Sequence, residues 1–292
     1  MKTKIIIVTL VCIFKTTTYA QRSRYQPYLS LNLTASTSHL LGDLGGTGNI
    51  GSNSFKDLNL SSTRFALGTG VDYNIPSGIS IGMDIMTAQL YGDDNAAPKN
   101  SGRNIRNLHV RTNIVESLIK FTYTHPENGI YFSIGGGICF FKPMAKLNGK
   151  WHELRPLGTE GQKIDSQKAP YKTITPVIPI GFGKKFYLNE NHDLAVAIDF
   201  SLRKTFTDYL DDVSTTYPEK DAIRQNSGNV AAQLSNLSND PQFGSAGSKR
   251  GDPENNDNYF FAGFKLYLPL NKNYRNKWQR RYRYRGGRYR RR

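Results

Sequence analysis

Apolar and polar residues alternate with a period of two in eight stretches of the chain, roughly 25–35, 62–75, 78–89, 107–124, 129–141, 172–187, 193–206 and 258–269. That is the spacing of strands whose two faces meet different surroundings. The third stretch is the clearest, with Ile79, Ile81, Met83 and Ile85 set against Ser80, Gly82, Asp84 and Met86. The seventh repeats the pattern with Leu194, Val196, Ile198, Phe200 and Leu202 against Ala195, Ala197, Asp199, Ser201 and Arg203. The phase of the fourth slips near Thr112–Asn113, as a β-bulge would cause. No stretch carries the 3.6-residue period of a long amphipathic helix.

The connections alternate as regularly as the residues. Pro76-Ser77, His125-Pro126-Glu127-Asn128 and Leu188-Asn189-Glu190-Asn191-His192 are tight turns, whereas 36–61, 90–106, 142–171 and 207–257 are long. Strict short–long alternation predicts an all-β fold, an eight-stranded up-and-down antiparallel transmembrane β-barrel with every long loop at one end.

The rows predict which way the barrel faces. One row reads Leu29/Leu31/Leu33, Phe65/Leu67/Val71/Tyr73, Ile79/Ile81/Met83/Ile85, Ile119/Phe121/Tyr123, Ile130/Phe132/Ile134/Ile138/Phe140, Ile178/Ile180/Phe182 and on through Phe264/Leu266. The other holds Arg64, Asp72, Asp84, Glu116, Lys120, Asp199, Arg203 and Lys265 among many glycines. Eight strands leave a lumen only wide enough for side chains. Four acids and four bases suit that lumen as a paired polar core, with the apolar row against lipid. A soluble lipocalin-like barrel, the alternative, would turn its apolar row inward.

Charge divides the chain. Of 39 Lys+Arg against 23 Asp+Glu, eleven basic residues and no acid fall in 271–292. Residues 21–270 hold 25 basic and 23 acidic residues, so the body is nearly neutral and the end strongly cationic. Residues 1–20 read as a signal peptide: Lys2 and Lys4, the apolar run Ile5–Phe14, then Thr18-Tyr19-Ala20 ahead of Gln21. Cys12 lies inside the apolar run, a poor position for a lipid-modified cysteine. The exported chain keeps Cys139 alone, which reads as a small packed residue rather than a nucleophile. The predicted organisation is 1–20 signal peptide, 21–270 barrel and 271–292 tail.

Three loop segments add a resemblance: Leu40-Leu41-Gly42-Asp43-Leu44-Gly45-Gly46; Asn148 to Gln162, with Trp151, Gly158 and Glu160; and Arg203 to Tyr217, with Asp208, Tyr209, Asp211 and Asp212. Over 25–270 the chain resembles the PorG-like family of outer-membrane β-barrels of Bacteroidota. The resemblance implies an outer-membrane barrel. The family's best-known member belongs to the type IX secretion and gliding apparatus and associates with its periplasmic ring. Ala222–Asp257 and the tail lie outside the resemblance.

No catalytic constellation stands out, so the expectation is a chain that is not an enzyme and needs no cofactor. His39, His109, His125, His152 and His192 are not at metal-ligand spacing. Asp208, Asp211 and Asp212 read as a hydrogen-bonded loop cap, since they lack the spacing and glycine of a calcium loop. Asp84, Glu116 and Asp199 could be an acid–base set, but charges inside a filled barrel need no such role. The tail interleaves Arg275, Lys277, Trp278, Arg280, Arg281, Tyr282, Arg283, Tyr284, Arg285, Arg288, Tyr289 and Arg290. In the cytosol that pattern would suggest RNA. Behind a signal peptide it predicts no nucleic acid, but a periplasmic contact with phosphate head groups, an acidic protein surface or peptidoglycan; the resemblance implies that the protein partner is a ring or lipoprotein component of a secretion apparatus. The expected site is the outer membrane, long loops outside and both termini periplasmic. The rival reading is an outer-membrane barrel unrelated to secretion that binds a ligand or partner through its long loops. The last loop, 207–257, is expected to be partly mobile beyond Ala222, where Asn, Ser, Gly and Asp dominate and few apolar residues remain to pack.

Overall fold

The computed structural model describes residues 27–44, 60–164, 168–190 and 192–270. The signal peptide, the tail with all twelve of its proposed contact residues, and Gly45 of the first loop segment lie outside the described residues.

Nine strands form one antiparallel sheet: β1 Tyr28–Leu41, β2 Arg64–Asn74, β3 Ile79–Asp93, β4 His109–Thr124, β5 Ile130–Leu147, β6 Lys150–Glu153, β7 Ile174–Tyr187, β8 Ala195–Thr205 and β9 Asn258–Pro269. Each long strand pairs with its sequence neighbour, and β1 pairs with β9 from Ser30↔Pro269 to Leu41↔Asn258. That last ladder closes an eight-stranded up-and-down barrel and leaves no free edge. β6 is a four-residue strand that folds back on the end of β5 through Asn148-Gly149, both at positive φ, above the barrel proper.

The alternation decides sidedness. Along β3 the even positions are buried and the odd ones from Ile79 to Gln89 mostly open: Met83 is 63% exposed and the adjacent Asp84 2%. Phe65, Leu67, Phe121, Phe132, Phe182 and Phe264 continue the exposed apolar row around the barrel. In water such a belt would be a large unfavourable patch. Facing lipid, it is the surface of a membrane barrel. No described helix is long and apolar enough to cross a membrane.

The structure corrects four expectations. First, β1, β3 and β5 run four to six residues past their predicted ends, into what reads as loop. Second, β4 has no bulge. Its registers to β3 and β5 run unbroken through Thr112 and Asn113. The apparent slip comes from Ile114 and Leu118, apolar residues that point inward and pack in a buried layer with Met86, Cys139 and Phe261. Third, the last loop contains a helix. Besides the short α1, Gly102–Arg106, a helix α2 spans Lys220–Ser235 and kinks at Gly228, whose φ is +87°. Fourth, α2 is packed where mobility is expected. Its Ile223, Ala231, Ala232 and Leu234 are buried.

Candidate functional site

The lumen is filled from the short-turn end upward. Lys120 pairs with Asp84, and Lys265 with Asp199 at 2.9 Å, where the Tyr131 hydroxyl also donates. The Asn32 amide donates to Asp72 at 2.7 Å and to Asp84 at 3.1 Å. Gly70 and Gly82 make room for these carboxylates, since a Cβ on either would overlap the Asp84 or Asp72 oxygens. Higher up, Arg203 donates from Nε to Glu116 at 2.7 Å and lies 4.9 Å over the Phe261 ring. Above this pair sits the apolar layer of Leu90, Val110, Ile114 and Val177.

Arg64 does not belong to this set. It opens β2 half-exposed, donates to the Ser61 and Thr63 carbonyls, and lies 4.0 Å over the Tyr91 ring. Lys185 takes its place. It is buried and sits 4.4 Å over the Tyr267 ring. The four acids therefore still face four bases. Asp84, Glu116 and Asp199, imagined as an acid–base set, are each tied to a buried cation.

The long loops do not hang free. Two buried arginines gather all four into a cap. Arg106, at the end of α1, holds Asp94 with Nε at 2.6 Å and Nη2 at 2.9 Å. It also donates to the carbonyls of Asp43 at 2.6 Å and Arg250 at 2.7 Å. Arg250 donates to Glu160 at 2.8 Å and to the carbonyls of Asp212 and Ser235. Glu160 in turn accepts from the backbone N–H groups of Ser214 at 2.7 Å and Thr215 at 3.1 Å. Asp212 accepts from Tyr171 at 2.6 Å and from Thr159, and Tyr171 stacks on Tyr209 with centroids 4.4 Å apart. Gly158 and Asp212 both sit at positive φ. Of the loop residues that carry the resemblance, Gly42, Asp43, Glu160, Asp208, Tyr209, Asp211 and Asp212 thus meet in one place, and Trp151 does not. That ring lies outside the cap, against Arg111 and His109.

Beside Arg106 lies a group of carboxyls drawn from both chain ends of the barrel: Asp43, Asp208, Asp211 and Asp257. Asp211 accepts from the Asp43 N–H at 2.8 Å and Asp257 from the Leu210 N–H at 2.8 Å. A Cβ on Gly42 would stand 2.6 Å from Asp257 Oδ1 and 2.8 Å from Asp211 Oδ2, so only glycine fits there. Burial, then Asp211, pushes the Asp208 carboxyl up to about 9, with the Ser214 hydroxyl pulling the other way. Burial and the facing carboxyls hold Asp211 and Asp257 well above the usual carboxylate range. Burial raises Asp212 to about 6 against the pull of Arg250. Among the described residues no three His, Cys, Asp or Glu side chains are arranged to hold a metal ion.

Arg106, Asp94, Arg250 and Asp257 are absent from the sequence-level set. Each lies in a loop without periodicity, and the contacts that bury it span 12 to 144 residues, so local spacing gives no signal.

No protein-family model matches the sequence. No curated protein matches it either. Several solved structures are similar in shape, two of them as follows. Neisserial surface protein A is 6% identical with a TM-score of 0.37, over 84% of this chain and 97% of its own. Ail, the attachment invasion locus protein of Yersinia pestis, solved with the heparin analogue sucrose octasulfate, is 8% identical with a TM-score of 0.37, over 84% and 100%. The placement of this chain in an outer membrane rests on its own geometry: a closed barrel, an apolar belt outside and paired charges within.

Proposed function

We propose that the chain is a non-enzymatic outer-membrane subunit of a type IX secretion and gliding apparatus, and that it anchors a periplasmic ring or lipoprotein component of that machine. The observation that carries this reading is where the resemblance segments meet. Most of their residues are spent on closing one end of the barrel, over a lumen packed with side chains. A filled, capped barrel suits an anchor better than a channel or carrier.

In this reading the capped end faces outward and the short turns face the periplasm. Tyr28 and Pro269 lie at the short-turn end, so the cationic tail is delivered to the periplasmic side. Its contacts there are protein, with peptidoglycan as a secondary surface.

Affinity purification of the tagged full chain from native outer membrane tests the proposal. Co-purification of periplasmic secretion components supports it. Recovery of an external ligand or surface partner, with no periplasmic protein, would move the function to the long loops and away from secretion.

A further inference from the structure

We propose that the outward face of β4, β5 and β6, just above the apolar belt, binds the phosphate of lipid head groups in the leaflet at the long-loop end. The ladder registers fix the location. Val115, Phe140 and Ile174 share one rung and are all exposed, the last apolar rung on this side. The next outward rung pairs Asn113 with Lys142, and the one beyond pairs Arg111 with Met144. With about 3.3 Å per residue, these rungs stand about 7 and 13 Å further along the strands. Lys146 and Trp151 form the rung above, on the β5–β6 hairpin. A side chain at this height on the outer wall meets the head-group layer and little else.

The chemistry of the face matches that neighbour. Arg111 is held by stacking: its guanidinium lies 4.0 Å over the Trp151 ring, and His109 meets that ring edge-on. Among the described residues Arg111 has no carboxylate partner. Its Nη2 reaches only the Met144 sulfur at 3.7 Å, and its Nε has no hydrogen-bond partner. Lys146 is exposed and, among the described residues, also lacks an acidic partner. The one acid among them, Glu153, pairs with Lys142 at 2.7 Å in the open, where such pairs exchange readily. Asp93 lies across the β3–β4 ladder from His109 and is occupied by the Tyr91 hydroxyl. A preorganised guanidinium, mobile ammonium groups and an indole at the interface are the donors a phosphate-bearing head group requires.

The test uses the full chain in non-ionic detergent, titrated with lipid A, phosphatidylglycerol and phosphatidylcholine, with bound lipid read by native mass spectrometry. Lipid A should be retained and phosphatidylcholine should not. The triple variant R111Q/K142Q/K146Q, outward-facing and so compatible with folding, should retain lipid A about a hundredfold less well. Glu153→Gln should retain it better than the unmodified chain. Heat-modifiable gel migration reports whether each variant is folded. Equal retention by the triple variant overturns the proposal. So does loss of lipid A only on deleting Asn273–Arg292, which places the site on the tail. Complete displacement of lipid A by millimolar inorganic phosphate overturns it too, since the face would then be selecting a free anion.

Discussion

Arg203 and Glu116 are both almost fully buried, and among the described residues each is the other's only opposite charge in direct contact. Removing one partner strands the other. Glu116→Ala should cost about 3–5 kcal/mol, whereas the paired change Glu116→Leu/Arg203→Met should cost far less. Urea unfolding in bilayers measures both, and equal losses would mean that the pair is not the unit that matters. On the outer wall the reverse rule holds: Ile81→Arg puts a charge into lipid and should cost about 2–4 kcal/mol near the bilayer midplane. An unchanged unfolding free energy would count against a lipid-facing Ile81. Single residues also mark where period-2 reading reaches its limit. Arg64 has the inward parity, but as the first residue of β2 it can turn over the rim to Tyr91. Lys185 follows Lys184, and two adjacent lysines give no hint of which one faces in. Only the register, Lys185 against Ala197 and Lys184 against Ile198, decides it.

At the scale of elements, eight spanning strands and their turns were legible because lipid on one side and a narrow lumen on the other impose a strict period. The ends of β1, β3 and β5 were not, because above the membrane that contrast lapses and Leu40, Leu41 and Leu44 are buried together. Helix α2 was hidden for a different reason. Asn226-Ser227-Gly228-Asn229 are poor helix formers, and the kink at Gly228 separates the buried Ile223 from Ala231 and Leu234, with no apolar side chain over 224–229 to mark a stripe. Tertiary packing supplies what propensity lacks. Leu234→Ala should therefore loosen the cap by about 2–5 kcal/mol, seen as faster hydrogen exchange over 220–250 with the strands unaffected. The carboxyl group beneath adds a pH dependence. Burial and mutual repulsion raise Asp208, Asp211 and Asp257, so the closed cap holds protons that the opened, solvated loops release. The stability these groups contribute is complete below the ordinary carboxylate range and is lost as pH rises, for Asp208 through about 9. Each proton released on opening changes the opening equilibrium by about tenfold per pH unit. Proteolysis of the loops should accelerate between pH 6 and 10, and Asp208→Asn should flatten that rise. A rate that falls with pH would reverse the sign of the argument.

For the whole molecule, the division between a neutral body and a cationic end decides what each part can do. Residues 21–270 hold nearly equal numbers of acids and bases, and the lumen charges are matched four against four. Long-range attraction to an acidic periplasmic partner must then come from the eleven basic residues of 271–292. Such attraction fades over a Debye length of about 8 Å at physiological ionic strength. The interleaved tyrosines and Trp278 would supply a part that salt does not remove, about 0.5–2 kcal/mol for each cation–π contact. The barrel does not need the tail to close, because the β1–β9 ladder is complete at Pro269. Deleting Asn273–Arg292 should leave the barrel folded and inserted, with its heat-modifiable migration intact, while retention of the periplasmic partner weakens. Replacing only the arginines of the tail with glutamine should leave weaker binding that is less sensitive to salt, with Lys272 and Lys277 keeping a residual dependence. If the truncated barrel retains its partners at full yield, the contact belongs to the short turns, with Pro76-Ser77 and His125–Asn128 the segments that present themselves at that end.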